Sequence, residues 1–313
     1  MESEGIMGKI KKLKGGNALY VTDDEKFLVC SNTRNSVYVH DLNTFETVFQ
    51  TRTVSNVAYY AISPDGKTLA AKNTSGEIAL INMETGEEIL RNKMQKSEGY
   101  PFTFTRDGKY VLDFDWDGRT MLLGFDNECK VLDDTIREEM GQNGYLQYDR
   151  FENNVYKLVK GGYVSLDTAY VSPAGKSVKY KKLCTLIDRF PDWIRGISIC
   201  REKIYYITNE RDFMVVCDKE FKELERIPLP PVVKDRYNYF QRAWVSPEEK
   251  YVCFKMAEPY TLIYDLKTME LVEKFDIEFV CDFTMIENDT RFIFGTWDGA
   301  FVGSAEDFSS IIG

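Results

Sequence analysis

The sequence has very few of the residues that catalytic and metal sites need. Histidine occurs once among 313 residues, at His40, so a histidine-rich metal site is excluded by count. The seven cysteines form no CxxC pair, which is the usual spacing of zinc and redox motifs. The chain also has no phosphate-binding glycine loop and no nucleophile elbow. We therefore expect no catalytic residues, no metal ion and no cofactor.

Long apolar runs and excess positive charge are missing too. No run reaches the roughly 18 apolar residues of a membrane-spanning helix, and the first sixteen residues have no apolar core typical of a signal peptide. A net charge of −10 with a pI near 4.9 is unfavourable for binding nucleic acid or an anionic membrane. The odd number of cysteines, most of them in predicted strands, favours reduced thiols. We expect a cytoplasmic monomer.

One stretch, residues 61–89, has a regular pattern of strands and turns. Ser63-Pro64-Asp65-Gly66 combines the residues that favour a tight turn. Asn73-Thr74-Ser75-Gly76 and Glu84-Thr85-Gly86 are further turns, and alternating apolar residues lie between them. With the preceding strand at residues 57–62, this predicts a four-stranded antiparallel meander. A lone meander of this kind is marginally stable in water, so it needs similar neighbours.

Weaker copies of this meander recur along the chain. The first turns of the copies centre near Asp24, Asp65, Asp107, Asn153, Glu202, Glu248 and Asp289. They are separated by roughly 40 to 50 residues, which is the period of a propeller blade. The sequence thus predicts an all-β fold, a seven-bladed β-propeller of four-stranded antiparallel blades, in a single domain spanning residues 17–313.

The N-terminal leader, residues 1–16, is a candidate for closing this ring. The last repeat lacks a well-formed outer strand, because only residues 309–312 follow its third strand. The segment from Lys9 to Lys14 has no partner in the first repeat, and lysines protect an exposed sheet edge. We expect this segment to be the outer strand of the last blade. The alternatives are a disordered tail or a short C-terminal strand in the same place.

Several motifs resemble a known superfamily. Tyr20-Val21-Thr22-Asp23 is similar to the YVTN motif, and residues 63–86 are similar to a WD-repeat blade without a gap. The position of the Trp-Asp dipeptide holds His40-Asp41, Ile81-Asn82, Phe125-Asp126, Cys217-Asp218 and Tyr264-Asp265. The chain resembles the WD-repeat and YVTN-type β-propeller superfamily, in a divergent form of bacterial type. No repeat has a true Trp-Asp pair at that position, and no Gly-His pair precedes a blade. Because propellers host many activities, the resemblance implies architecture rather than function.

Two tryptophans stand at the tips of similar turns. Trp116 and Trp297 each begin a Trp-Asp-Gly turn between the second and third strands of a repeat. An exposed tryptophan at a loop tip indicates a contact surface. The alternative is that each ring folds back onto the neighbouring blade.

A second group of candidates lies on the strands that enter the blades. When the repeats are aligned by the turn that follows each entering strand, four of these strands place a polar or aromatic residue near the same end of the central channel. A fifth residue, in a connection between two repeats, should lie close to them. The candidates are Arg52, Tyr59, Arg195, Arg242 and Asp282. Arginine and aromatic side chains can hold a carboxylate, a phosphate or a partner's side chains. The alternative is that they form salt bridges between blades.

The combined signals favour a non-enzymatic interaction platform that binds a protein or peptide on the channel-mouth face. One alternative is a small-ligand or sugar sensor that uses Trp116 and Trp297 as stacking surfaces. Another, implied by the resemblance, is a lactonase-like hydrolase of the YVTN type. A deep pocket with converging acids and arginines would favour the hydrolase, and a flat aromatic face would favour the platform.

Overall fold

The structure is a computed structural model. It describes residues 10–32, 34–93, 102–105, 107–114, 120–126, 129–131, 145–149, 151, 154–159, 162–167, 180–184, 194–208, 212–234, 239–277, 279–304 and 307. The chain divides into two compact units. The first unit is Tyr20–Phe190, and the second unit combines Met1–Leu19 with Pro191–Gly313. None of the helical segments in the described ranges is long and apolar enough to span a bilayer.

The described part of the chain holds seven four-stranded sheets, and their strands are numbered along the chain from β1 (Lys11–Leu13). Sheet 1 contains β2 (Leu19–Val21), β3 (Phe27–Ser31), β4 (Ser36–Asp41) and β5 (Thr47–Arg52). Sheet 2 contains β6 (Val57–Ile62), β7 (Thr68–Asn73), β8 (Glu77–Asn82) and β9 (Glu88–Lys93). Sheet 3 contains β10 (Thr103–Phe104), β11 (Tyr110–Phe114), β12 (Thr120–Gly124) and β13 (Cys129–Val131). Sheet 4 contains β14 (Tyr145–Asp149), β15 (Asn154–Val159), β16 (Gly162–Asp167) and β17 (Tyr180–Cys184).

The remaining sheets belong to the second unit. Sheet 5 contains β18 (Ile194–Ile199), β19 (Ile204–Thr208), β20 (Phe213–Cys217) and β21 (Glu223–Pro228). A short 3-10 helix at Pro231–Lys234 follows it. Sheet 6 contains β22 (Phe240–Val245), β23 (Tyr251–Met256), β24 (Thr261–Asp265) and β25 (Leu271–Phe275). Sheet 7 contains β26 (Val280–Ile286), β27 (Arg291–Thr296), β28 (Gly299–Ser304) and β1. The strand pairs are antiparallel, as in the meander expected from the sequence.

Local turn chemistry fixes where the first and second strands of a sheet meet. In sheet 2, the Ser63 hydroxyl donates to Asp65 Oδ1 at 2.6 Å, and the Lys67 amide donates to the same oxygen at 3.0 Å. Sheets 1 and 3 repeat this arrangement at Thr22–Asp24 and Thr105–Asp107. Because these bonds are formed within five residues, the sequence pattern alone is enough to place the turn.

A second local motif ends the third strand of a sheet. The acid or amide at the second position of the Trp-Asp dipeptide accepts a hydrogen bond from the backbone amide two residues later. The pairs are Asp41 with Asn43, Asn82 with Glu84, Asp218 with Glu220, and Asp265 with Lys267. The acidic half of the dipeptide is therefore a turn cap, and it needs no tryptophan beside it.

The two middle strands of sheet 2 are largely buried on both faces. Every residue of β7 is buried, and Leu69, Ala70 and Ala71 have no exposed surface. A strand covered on both faces is apolar along its length rather than alternating. In the first unit, Ile78, Leu80, Phe104 and Val111 of sheets 2 and 3 share one core cluster. Stacking of sheet on sheet thus supplies the burial that a lone meander lacks.

The N-terminal strand β1 pairs with the last strand of the chain. Lys11, Lys12 and Leu13 lie opposite Val302, Phe301 and Ala300, and the sheet order is β1-β28-β27-β26. Gly16 makes the close approach possible, because a Cβ there would overlap the backbone of Gly299. Residues 309–312, the alternative outer strand, lie outside the described ranges.

Candidate functional site

A β-bulge recurs near the start of four entering strands. The register shifts between Val57 and Tyr59, Ile194 and Gly196, Phe240 and Arg242, and Val280 and Asp282. Bulges often re-aim side chains beside functional sites. Tyr59, Arg242 and Asp282 therefore hold equivalent positions, each directly after a bulge in its own sheet.

The sequence alignment placed Arg195 at the position after the bulge in sheet 5, and this prediction is wrong by one residue. In sheet 5 the equivalent position is Gly196, and Arg195 is the extra residue of the bulge. The cause is a shorter turn: the Cys200 amide bonds to the Lys203 carbonyl, whereas in sheet 2 the Ser63 amide reaches Thr68. Counting back from the turn then misplaces the residue by one. The Arg195 side chain and all of Trp116 are outside the described part of the structure.

The two candidates of the first unit that the structure describes, Arg52 and Tyr59, are ordinary strand residues. Arg52 ends β5 opposite Ser36 and is exposed. Tyr59 is half-buried and packs against the core cluster that includes Phe104. Arg242, Asp282 and Trp297 all lie in the second unit, and there the structure brings them onto one short stretch of sheets 6 and 7.

The most exposed feature of this stretch is a pair of stacked aromatic rings. The rings of Phe279 and Trp297 are 5.2 Å apart between centroids and only 7° from parallel. Phe279 is 58% exposed and Trp297 is 62% exposed. Phe279 has a φ of 56°, a left-handed conformation that costs an ordinary residue about 1–2 kcal/mol. Phe279 thus combines an exposed aromatic ring with an unfavourable backbone conformation.

Cys281 connects this aromatic pair to Arg242. The Cys281 thiol donates to the Phe279 carbonyl at 3.3 Å, and Arg242 Nη1 donates to the Cys281 carbonyl at 3.1 Å. Burial raises the pKa of the Cys281 thiol, while nearby Lys255 and Arg242 and a hydrogen bond from the Trp297 side chain act against this rise. The rings, the thiol and the arginine form one connected surface, which we call the aromatic–cationic surface.

Lys255 is the second cation of the aromatic–cationic surface. It lies directly opposite Arg242 in the pairing of β22 with β23 and is half-buried. Burial lowers the pKa of the Lys255 ammonium, and the positive charge of Arg242 lowers it further, whereas Cys281 raises it. Like charges placed directly opposite each other on neighbouring strands are destabilising.

The carboxylate of Asp282 has a structural role. Its two carboxylate oxygens accept hydrogen bonds from the Leu19 amide at 3.0 Å and the Phe283 amide at 2.9 Å. Burial raises the pKa of the Asp282 carboxyl, and both hydrogen bonds and the charge of Arg242 lower it. The residue ties the N-terminal segment to sheet 7 rather than offering a free carboxylate to a ligand.

Sequence reasoning missed Phe279, Cys281 and Lys255. Lys255 could have been found from the sequence. If the two strands are paired from the turn at residues 246–251, Val245 lies opposite Val252 and Arg242 lies opposite Lys255. No sequence pattern pointed to Phe279 or Cys281. Their positions depend on the left-handed conformation of Phe279 and on the β-bulge at the start of β26, and no local sequence pattern encodes either feature.

The first unit contains a separate cavity of about 520 Å³. Its apolar lining includes Phe27, Ile62 and Phe104, and Asp24 and Asp65 are among its polar residues. Hydrogen bonds from Thr22 and Ser63 lower the pKa values of these two carboxyls, so both are ionised at neutral pH. No group of three potential metal ligands occurs among the residues that were placed.

Comparison with known proteins gives partial matches in sequence. The family profile of the anaphase-promoting complex subunit 4 WD40 domain matches residues 23–119. A curated relative from Arabidopsis thaliana, "Protein ANTHESIS POMOTING FACTOR 1", is 30% identical over 94 residues, which cover 29% of this chain and 28% of the relative. The match thus spans little more than a quarter of the relative's length.

Solved structures match over nearly the whole chain. The β-propeller domain of Cps50 (Swd1) from Myceliophteria thermophila has a TM-score of 0.69 at 12% identity, covering 94% of this chain and 99% of that one. Hydrazine synthase from Kuenenia stuttgartiensis has a TM-score of 0.65 at 13% identity, covering 94% and 96%. Likeness at such identities shows the fold alone.

The sheets, the WD40 profile and these neighbours together define the class of protein. The chain has the β-propeller fold, and residues 23–119 are similar in sequence to a WD40 domain, in agreement with the resemblance noted in the sequence. Such a scaffold is typical of protein-interaction platforms. One of the two neighbours is an enzyme, so the fold by itself does not decide whether a propeller is catalytic. The bacterial type stays a prediction.

Proposed function

We propose that this chain is a non-enzymatic platform that binds a protein or peptide partner through the aromatic–cationic surface. The stacked Phe279–Trp297 pair is the observation that carries this proposal. Large aromatic side chains dominate the binding energy of protein interfaces, and a rigid stacked pair loses little conformational freedom on binding. Two neighbouring rings that are each more than half exposed are difficult to explain by folding alone.

We also propose that the seven sheets are the blades of one ring in a single domain, with β1 as the outer strand of the last blade. The pairing of β1 with β28 and the four strands of every sheet support this arrangement. In such a ring the entering strands line the channel, so Arg52, Tyr59 and Arg195 would lie at the same mouth as Arg242. A monomer in the cytoplasm that binds neither nucleic acid nor membrane remains our expectation, based on the charge and cysteine content.

The test is affinity capture with matched aromatic variants. Trp297→Ala and Phe279→Ala should each reduce recovery of a partner by about tenfold, the effect of losing one strong contact. Phe213→Ala is the control, because Phe213 is also in the second unit and is 42% exposed. Equal recovery with all three variants would refute the proposed surface.

A small-ligand function is the second candidate, and the 520 Å³ cavity of the first unit favours it. A cavity with aromatic walls and ionised carboxylates suits an organic cation better than a sugar or an anion. Thermal shift assays against a panel of amines and sugars would decide. A rise in Tm with an amine that Asp65→Asn abolishes supports this candidate, and no rise with any compound excludes it.

A further inference from the structure

Three polar side chains form a row across sheet 6. Arg242 on β22 lies opposite Lys255 on β23, and Lys255 lies opposite Thr261 on β24. Directly opposed residues of antiparallel strands point to the same face of the sheet. The row therefore places two cations and a hydroxyl side by side on one face, which we call the cationic row.

The described residues form no ion pair with the cationic row. Arg242 instead donates a hydrogen bond to the neutral carbonyl of Cys281. Asp282 is near enough to feel the charge of Arg242, but both its oxygens are already bonded to backbone amides. A half-buried ammonium beside an exposed guanidinium, with no ion pair among the described residues, is an arrangement that an anion would stabilise.

The hydroxyl of Thr261 gives an independent sign of an incomplete site. Thr261 has no exposed surface, and its Oγ1 has no hydrogen-bond partner among the described residues. Most buried hydroxyls in native proteins are satisfied. Thr261 lies directly opposite Lys255 and on the same face, so an anion beside Lys255 would lie on the side of the sheet that carries this hydroxyl.

We propose that the cationic row binds a glutamate or aspartate side chain of a partner peptide, and that an adjacent apolar side chain of the peptide packs on Phe279 and Trp297. This rests on the proposed function of the surface. The two halves are contiguous, because Cys281 bonds to Arg242 on one side and to Phe279 on the other. Charge complementarity selects the occupant, since a local positive row in a chain of net charge −10 attracts acidic segments that the rest of the surface repels.

Peptide libraries test the chemistry directly. Randomised octapeptides with a fixed central Phe-Glu, Phe-Gln or Ala-Glu are compared by fluorescence anisotropy. The wild type should bind the Phe-Glu library about tenfold more tightly than either of the others, the effect of losing one charged or one aromatic contact. Arg242→Gln and Lys255→Gln should remove the preference for Glu over Gln. Lys267→Gln, which changes an exposed lysine in a turn of the same sheet, should not.

Stability measurements separate a binding role from a structural one. Lys255→Gln removes a half-buried charge facing Arg242, so its Tm without ligand should equal or exceed that of the wild type. A lower Tm would show that Lys255 supports the fold and would overturn the inference. Thr261→Val should likewise keep the Tm and weaken binding of the Phe-Glu library.

The remaining outcomes are also decisive. Equal binding of Phe-Glu and Phe-Gln, or binding of no library, overturns the acidic-peptide inference. Binding of inorganic phosphate without any preference among the libraries identifies a free-anion site instead. If Trp297→Ala abolishes partner capture while Arg242→Gln and Lys255→Gln do not, the proposed function stands and this inference alone fails.

Discussion

The ammonium of Lys72 lies 2.6 Å from a carboxylate oxygen of Asp113, and neither side chain has any exposed surface. Lys72 belongs to β7 of sheet 2 and Asp113 to β11 of sheet 3, so the ion pair joins two sheets of the first unit. Lys72 is among the largest fully buried side chains described. A charge placed so deeply in an apolar core is tolerated only with its partner.

Breaking this ion pair should be costly, and replacing both partners should be less so. Lys72→Met and Asp113→Leu should each lower the free energy of unfolding by about 3–5 kcal/mol, because each removes the opposite charge that lies 2.6 Å from a fully buried ionised group. The double variant should lose less than either single variant. Urea denaturation of all four proteins gives the coupling energy, and additive losses would contradict a direct interaction.

Asp282 and Asp65 should affect stability with opposite dependence on pH. Burial raises the pKa of Asp282 above the 3.8 of a solvent-exposed aspartate, so its stabilising contribution is complete below pH 3.8 and is lost as the pH rises through the raised pKa. The hydrogen bond from Ser63 lowers the pKa of Asp65, so its contribution is present above pH 3.8 and is lost as the pH falls through the lowered pKa.

The measurement is urea denaturation of Asp282→Asn and Asp65→Asn across acidic and neutral pH. From below pH 3.8 to neutral, the stability of the wild type relative to Asp282→Asn should fall. The stability of the wild type relative to Asp65→Asn should rise as the pH increases toward 3.8 from just below it. Slopes of the same sign for both variants would refute the assignment of their environments.

Gly86 and Gly66 give a matched pair for backbone strain. Both have positive φ, 74° and 72°, but a Cβ on Gly86 would lie 2.8 Å from the Phe49 ring whereas Gly66 faces open space. Gly66→Ala should cost about 1–2 kcal/mol from conformation alone. Gly86→Ala should cost more, because the Phe49 ring must move. Thermal unfolding of both variants checks the order, and equal losses would show that Phe49 moves freely.

The pairing of β1 with β28 should be detectable by hydrogen exchange. Deletion of residues 1–16 removes the partner of β28, so backbone amides in Gly299–Ser304 that bond to β1 should exchange at least about tenfold faster, because strand amides are protected only while paired. Deletion of residues 1–9 keeps β1 and is the control. Unchanged protection in the longer deletion would mean that β1 does not hold this edge.

The sequence allowed the turns, and hence the strands, to be predicted because their chemistry is local. Ser63 and Asp65 are two residues apart and bond to each other, so residue order alone places that turn. Gly196 shows the limit: a turn shortened after β18 shifted the alignment of Arg195 by one residue. Register counted from a turn is only as accurate as the assumed turn length.

The contacts that carry function and stability were less predictable. Lys72 and Asp113 are 41 residues apart in the chain, and only the stacking of sheet 2 on sheet 3 brings them together. Trp297 was found as a turn-tip tryptophan, but its partner Phe279 precedes a strand and has no motif. Such pairs depend on tertiary packing, which neither periodicity nor turn chemistry encodes.

The position of β1 gives folding an order in time. During synthesis β1 is made before its partner β28, and the other strands of the seven sheets are made between them. Until the two strands pair, the edge of β28, with Phe301 and Val302, has no neighbour, and an unpaired edge recruits any available strand. The β1 of a second copy has the same sequence and would fit the same edge. Sheet 7 is therefore open to exchanging strands with another copy while the chain folds.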